Sequence, residues 1–217
     1  MISIRLESLV KHIKINDKII DIGCDHALLD IYLVKNNFLK NIIVSDVHEK
    51  ALNSGIENIK KYNLEKKIDA RLGNGLEVLT EKDNVDTILI SGMGTSTILK
   101  ILSNPYIKNI KRMIIQSNND HFELRQNIIK MGYIVKAEDF LIDNNKHYIN
   151  IVFEKGEKKY KKEEIKYGPI LIHNKNYLRF ELENCEKIRR LIPKMKFKYR
   201  FKLTREIKTL KKLINKK

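Results

Sequence analysis

The sequence predicts an α/β fold: a mainly parallel sheet closed by an antiparallel hairpin, followed by a small, strongly basic helical domain. Three observations carry this. Short apolar runs alternate with helix-length segments through the first two thirds of the chain. Residues 133–155 then hold two strand-like runs with only a turn between them. Beyond residue 155 the apolar spacing becomes purely helical, and the charge excess gathers there.

Taken in order, MISIRLESLVKHI is amphipathic and carries Glu7. It lacks the charged-then-apolar order and small-residue cleavage site of a signal peptide, so it is expected to be a helix of the fold. KIIDIG (18–23) reads as the first strand and Ala27–Val34 as a helix. NIIVSD (41–46) is the second strand, followed by a helix over Ala51–Tyr62 with Ile56 and Ile59 inward. KIDARLGNG (67–75) is a third strand and turn. DTILISG (86–92) is the fourth strand, with a helix near Ser96–Leu102. RMIIQS (112–117) is the fifth, with a helix over Phe122–Met131. Strands separated by helices imply right-handed βαβ crossovers and a parallel sheet. The pair within 133–155, turning at Asp143-Asn144-Asn145, has no room for a helix and is a hairpin. Five parallel strands closed by a hairpin is the strand count of a Rossmann-like methyltransferase fold.

GEKKYKKEEIKYGPI (156–170) reads as a polar connector. Beyond it Leu178, Leu182, Cys185, Ile188 and Ile192 recur at helical spacing, and so do Leu203, Ile207, Leu210 and Leu213. Two helices are expected, packed as an antiparallel coiled-coil pair with basic outer faces. The chain thus divides into residues 1–155 and 156–217, with no internal repeats.

At 217 residues there is room for one full α/β domain and a small appendage. No apolar run approaches the ~20 residues of a membrane span. Cys24 and Cys185 lie far apart without metal-like spacing, which suggests a reduced cytosolic protein and no metal. The net charge is +16, and its distribution is informative. Residues 1–155 hold 22 Lys and Arg against 20 Asp and Glu; residues 156–217 hold 21 against 7. Compositional drift would spread the excess evenly. Its confinement to the last 62 residues points to a polyanionic partner, nucleic acid before membrane.

Asp21-Ile22-Gly23-Cys24-Asp25-His26-Ala27 joins the first strand to the first crossover helix, where such sheets bind their ligand. Gly23 allows close backbone approach. Asp21 and Asp25 suit the cationic amino group of a methionine moiety. A pyrophosphate would prefer helix N–H groups without nearby carboxylates, so this turn favours S-adenosylmethionine over a nicotinamide cofactor. Asp46, about 20 residues beyond, suits ribose hydroxyls or a helix N-cap. Asn74 and Gly75 suit an adenine ring or a plain tight turn. Gly92, Met93 and Gly94 follow the fourth strand at the mouth of the same cleft, with Ser91 and Thr95 beside them. GMGTST (92–97) imitates a dinucleotide fingerprint, but Thr97 stands where its third glycine belongs and no acidic residue ends the next strand. Ser103-Asn104-Pro105-Tyr106 imitates an N-P-P-Y loop, but it follows a helix and is read as a turn.

Gln116, Asn118 and Asn119, in the run Gln116-Ser117-Asn118-Asn119 that ends the fifth strand, offer amides to a base edge, or to a helix N-terminus. His26 suits the cleft or a helix start. Arg5 is a candidate phosphate or substrate contact, with a solvated arginine as the plain alternative. Lys194, Lys196, Lys198 and Arg200, interleaved with Phe197, Tyr199 and Phe201, suit a phosphate backbone, and at least one of these aromatics is expected in the core between the two helices.

Asp21–Ala27, Gly73-Asn74-Gly75-Leu76-Glu77, Ile90-Ser91-Gly92-Met93-Gly94 and Gln116-Ser117-Asn118 occur in the order seen in the bacterial TrmK family, and Tyr167-Gly168-Pro169 precedes the tail as it does there. The chain resembles that family from Arg5 to its end. It departs from the family pattern at Cys24, Asp30, Thr95 and Ser117, the last two of which are expected to line the cleft. The resemblance implies a class I methyltransferase domain with a C-terminal coiled-coil domain. It also implies S-adenosyl-L-methionine as donor and N1 of adenine 22 of tRNA as acceptor. Attack by neutral adenine N1 needs no strong base. A carboxylate near the product cation would help, and Asp25 is the candidate for that catalytic role. The rivals are methylation of another RNA or DNA base and a non-catalytic RNA-binding protein of this fold. No protein partner is readable, and a cytoplasmic monomer is expected.

Overall fold

The computed structural model describes residues 2–193 and 195–216, so the Lys194 candidate lies outside the described residues. The chain forms two compact units, Met1–Lys158 and Lys159–Lys217, a division a few residues beyond the boundary expected after Lys155.

The first unit opens with α1 (Ile4–Val10), capped by the Ser3 hydroxyl on the Leu6 N–H. There follow β1 (Ile19–Ile22), α2 (Leu28–Lys35), β2 (Ile42–Asp46), α3 (Glu49–Lys61) and β3 (Ile68–Leu72). β4 (Thr87–Met93), α4 (Thr95–Leu102), β5 (Arg112–Ser117) and α5 (His121–Lys130) come next, and β6 (Tyr133–Asp143) and β7 (Lys146–Lys155) close the unit. The sheet runs β3-β2-β1-β4-β5-β7-β6. Strands β1 to β5 pair in parallel, and β7 pairs antiparallel with both β5 and β6. This is the Rossmann-like arrangement that the alternation of runs predicts.

Every residue of β1 and of β5 is buried, which is why these strands read as continuous apolar runs with no alternation. Leu29, Leu33 and Val34 of α2 and Leu52 and Ile59 of α3 cover one face; Ile98 and Leu102 of α4 and Leu124 and Ile128 of α5 are buried as well. The hairpin turn is Asn144-Asn145, both at positive φ (48 and 59), because the register pairs Asp143 with Lys146. Left-handed Asn at both turn positions matches the right-handed strand twist. α1 is pinned to this hairpin: Lys11 and His12 both contact Asp139, and Asn150 donates to Ser8 (2.8 Å).

The second unit corrects the expectation of a plain polar connector. It opens with a helix, α6 (Lys162–Tyr167), at whose start the Glu164 carboxylate accepts from the Lys161 N–H (2.6 Å), and Tyr167 is buried. α7 (Lys175–Leu191) and α8 (Phe197–Ile214) then run back along one another: Glu186 meets Lys211 at 3.0 Å, and Arg200 meets the Arg189 carbonyl at 2.9 Å. Tyr177, Leu178 and Cys185 of α7 and Leu203, Ile207 and Leu210 of α8 are buried. The expectation of an aromatic core residue between the helices is overturned. Phe197, Tyr199 and Phe201 are 69%, 52% and 64% exposed. Arg200 closes the end of α7, donating to the Arg189 and Ile192 carbonyls (2.9 and 2.7 Å), and the aromatics on either side of it in sequence are left to solvent.

Candidate active site

The winding reverses between β1 and β4, and open α/β sheets bind ligands at the carboxyl edge of such a switch point. A cleft of about 600 Å³ lies there, walled by the turns after β1, β2, β3 and β4 and by Arg5 of α1.

The turn after β1 is tied to β2, since the Gly23 and Cys24 N–H groups both donate to the Ser45 carbonyl (2.8 and 3.2 Å). Gly23 has φ +79, and a Cβ on it would fall 2.3 Å from the end of the Met93 side chain. Asp25 and Ala27 are also left-handed, at φ 50 and 53. Asp tolerates this region; for Ala it costs about 1–2 kcal/mol. Fully buried Ala27 is held in that state as the first residue before α2. The result presents the Asp25 carboxylate outward, 67% exposed, while its N–H donates to Asp46 (3.3 Å).

Asp46 does not cap α3 directly. One of its oxygens accepts from the His48 N–H (2.9 Å) and the other from Asp25, so one carboxylate braces the turns after β1 and β2. His26 lines the cleft, but its Nδ1 is bonded to Ser54 of α3 (2.7 Å) and its Nε2 lies 3.7 Å from Asp25. Asn74 and Gly75 line the cleft after β3, with the Asn74 amide on Glu77 (3.0 Å). Gly92, Met93 and Gly94 line it after β4. At Gly92, with φ +85, a Cβ would fall 2.7 Å from the Arg5 guanidinium.

Asp21 forms part of the floor and is almost wholly buried. Behind it sits Asp30 of α2, 0% exposed, its carboxyl within hydrogen-bonding reach of that of Asp21 when one of the two is protonated. Burial and the like charge of Asp30 push the Asp21 carboxyl well above its ordinary range, and burial pushes Asp30 up to about 7. Two carboxyls so placed share a proton at neutral pH. Burial and the surrounding aspartates also push the Cys24 thiol up, so it is no nucleophile. The sequence marks Asp30 only as a departure from the family pattern, without a place in the site.

Other positions take roles different from those expected. Gln116 is fully buried and spends both amide atoms on protein, accepting from Arg5 and donating to Asn150, so it cannot meet a base edge. Asn118 is exposed and donates to the Gly92 carbonyl (2.6 Å). Thr95 and Ser117 do not line the cleft: both are buried behind it and bonded to each other at 2.9 Å. The two departures from the family pattern are thus in direct contact. Asn119 takes the helix N-terminus alternative: it accepts from the Thr95 N–H (2.9 Å) and so caps α4, whose Gly94 has no side chain to do it. Exposed Leu28 and Val47 add apolar lining, for which the sequence offers no signal beyond their place next to the motifs. Among the described residues no group of three or more His, Cys, Asp or Glu is placed to hold a metal, and no helix is long and apolar enough to cross a membrane.

The cleft fits a cationic methionine derivative. Asp21, Asp25 and Asp46 converge from adjacent strands, two glycines clear the backbone, and these carboxylates would repel a pyrophosphate. Fold and site together define a Rossmann-like, S-adenosylmethionine-dependent methyltransferase.

Comparison with known proteins narrows this. The chain belongs to the TrmK family, described as tRNA (adenine(22)-N(1))-methyltransferase, whose family model matches residues 19–217. It is 31% identical over 159 residues to the tRNA (adenine(22)-N(1))-methyltransferase of Bacillus subtilis strain 168, an alignment taking in 72% of this chain and 66% of that one. Among solved structures it resembles Streptococcus pneumoniae Sp1610 in complex with S-adenosyl-L-methionine. That match has a TM-score of 0.91 and 31% identity, covering 99% of this chain and 100% of that one. It also resembles Mycoplasma capricolum TrmK in complex with S-adenosyl-homocysteine, with a TM-score of 0.83 and 32% identity over 99% and 98%.

Proposed function

We propose that this protein methylates N1 of adenine 22 in tRNA, using S-adenosyl-L-methionine held in the β1/β4 cleft. The observation that carries the reading is the convergence of Asp21, Asp25 and Asp46 on one cleft at the switch point of a TrmK-family chain. Asp21, Gly23, His26, Asp46, Asn74, Gly75, Gly92, Met93 and Gly94 form the donor site. Val47 and Leu28 supply apolar flanks for the adenine moiety.

When bound, the donor supplies an electrophilic methyl group on a cationic sulfur. Neutral adenine is nucleophilic at N1, so the chain's residues need to orient the reactants and no strong base is required. N1 lies on the Watson–Crick edge, so a paired target base has to be turned out of its helix. The Asp25 carboxylate, outward-facing and 3.7 Å from the His26 ring, stabilises the positive charge that develops on the adenine.

The basic second unit is proposed as a tRNA-binding element. Lys196 and Lys198 meet phosphates there, while exposed Phe197, Tyr199 and Phe201 offer faces on which unpaired bases stack. Arg200 acts by holding the end of α7. The work is cytoplasmic, where tRNA is found, and the chain acts as a monomer, which light scattering on the purified protein checks. Transfer of a labelled methyl group to tRNA, with the modified nucleotide mapped by mass spectrometry, tests the whole reading. Label at a nucleotide other than adenine 22 refutes the acceptor, and no transfer refutes the activity.

A further inference from the structure

We propose that Arg5 is the anion end of the donor site, its guanidinium receiving the methionine carboxylate while the aspartates across the cleft take the amino group. This rests on the donor reading above and goes beyond it. The sequence marks Arg5 as an RNA phosphate contact; its surroundings assign it to the donor.

Position is the first argument. The Arg5 guanidinium donates to the Ser91 hydroxyl (2.7 Å) and lies against Gly92. The register sets Ile90 of β4 beside Ile22 of β1, so the turns that follow the two strands open side by side, and the Met93 side chain reaches Gly23. The cation therefore faces the acidic turn across a cleft that both line. A methionine zwitterion carries its ammonium and carboxylate on the same carbon and needs two such opposite walls close together.

Rigidity is the second. Nε of Arg5 donates to Gln116, Gln116 donates to Asn150 (2.5 Å), Asn150 donates to Ser8 (2.8 Å), and Ser8 donates to the Arg5 carbonyl (2.6 Å). This closed circuit fixes the side chain, with the Tyr148 ring 5.3 Å from the guanidinium carbon.

Charge is the third. Each partner of the guanidinium is neutral: an amide, a hydroxyl and a ring. A half-buried guanidinium without a counter-ion among the described residues favours an anionic ligand, and the planar fork matches a carboxylate.

Calorimetry with S-adenosylmethionine and with its decarboxylated analogue, which keeps the sulfonium and the amine, tests this. The wild-type protein is expected to prefer the carboxylated compound by about tenfold to a hundredfold, the range for a hydrogen bond to a charged group. Arg5→Gln should bring that ratio close to one, and Arg5→Lys should leave part of it. The ratio does not depend on how much of a variant folds, because both compounds meet the same molecules. An Arg5→Gln protein that keeps the wild-type ratio overturns the assignment; if it also binds tRNA more weakly, Arg5 serves phosphate instead. If neither compound binds the wild-type protein, the donor reading itself fails.

Discussion

The buried Asp21–Asp30 pair makes stability depend on pH in an unusual direction. A carboxyl with an ordinary value of 3.8 held at about 7 costs the folded state about 4 kcal/mol once the pH exceeds 7. Between about pH 4 and pH 7 the folded chain keeps a proton that the unfolded chain has lost. Stability contributed by the protonated pair is therefore complete below about pH 4 and declines as pH rises through the window. Asp30→Asn removes one of the two like charges and lets Asp21 ionise more readily. The buried amide of the variant brings its own penalty, but that penalty does not change with pH. Urea unfolding of wild type and variant at pH 4.5, 6.0 and 7.5 isolates the effect. The variant should gain on the wild type by about 3 kcal/mol across the series, since about 1 of the roughly 4 kcal/mol is already lost at pH 4.5, whichever is more stable at its acidic end. Parallel stability profiles would show that Asp30 is not protonated in the fold, and the shared-proton argument would be refuted.

Asp25→Asn should bind the donor within a few-fold of wild type and lose about a hundredfold or more in kcat; full turnover would remove Asp25 from the chemistry. Gly92→Ala places a Cβ 2.7 Å from the Arg5 guanidinium at φ +85, so the thermal shift produced by the donor should shrink while the far-UV spectrum stays native. Tyr199→Ala with Phe201→Ala changes exposed side chains, so stability should move by less than about 0.5 kcal/mol while tRNA affinity drops tenfold or more in filter binding. Arg125 and Glu138 form an ion pair at 2.6 Å with both side chains 0% exposed; Arg125→Met should cost about 3–5 kcal/mol in chemical denaturation, and adding Glu138→Leu should recover most of it.

The parts of this molecule that could be read in advance are those in which local backbone chemistry dictates the residue. Strands covered on both faces announce themselves as apolar runs, so the parallel strands stand within a residue or two of their expected limits. Asn144-Asn145 announces its turn because few other residues accept left-handed backbone twice in succession. Gly23 and Gly92 mark the cleft because a Cβ there meets another side chain at under 3 Å. α6 was hidden for the opposite reason: its lysines and glutamates look like a solvated linker, and only burial of Tyr167 draws the segment into the fold.

The site's side-chain wiring obeys a different rule, and that is where sequence reasoning stops. Arg5 meets Gln116 across 111 positions, and Ser8 meets Asn150 across 142. No spacing along the chain encodes such pairs, because the sheet order, and nothing local, brings β5 and β7 under α1. The role of Asp30 is hidden for the same reason: an acid in the first turn of a helix ordinarily favours the N-terminus and faces water, and only the closeness of α2 to β1 turns it into a buried partner of Asp21. Thr95 and Ser117 show the converse, two local departures that become one hydrogen bond once β4 and β5 lie side by side. A sequence therefore identifies which loops surround the donor, whereas the charge balance inside the cleft, acid on the β1 side and Arg5 on the β4 side, is a property of the assembled sheet.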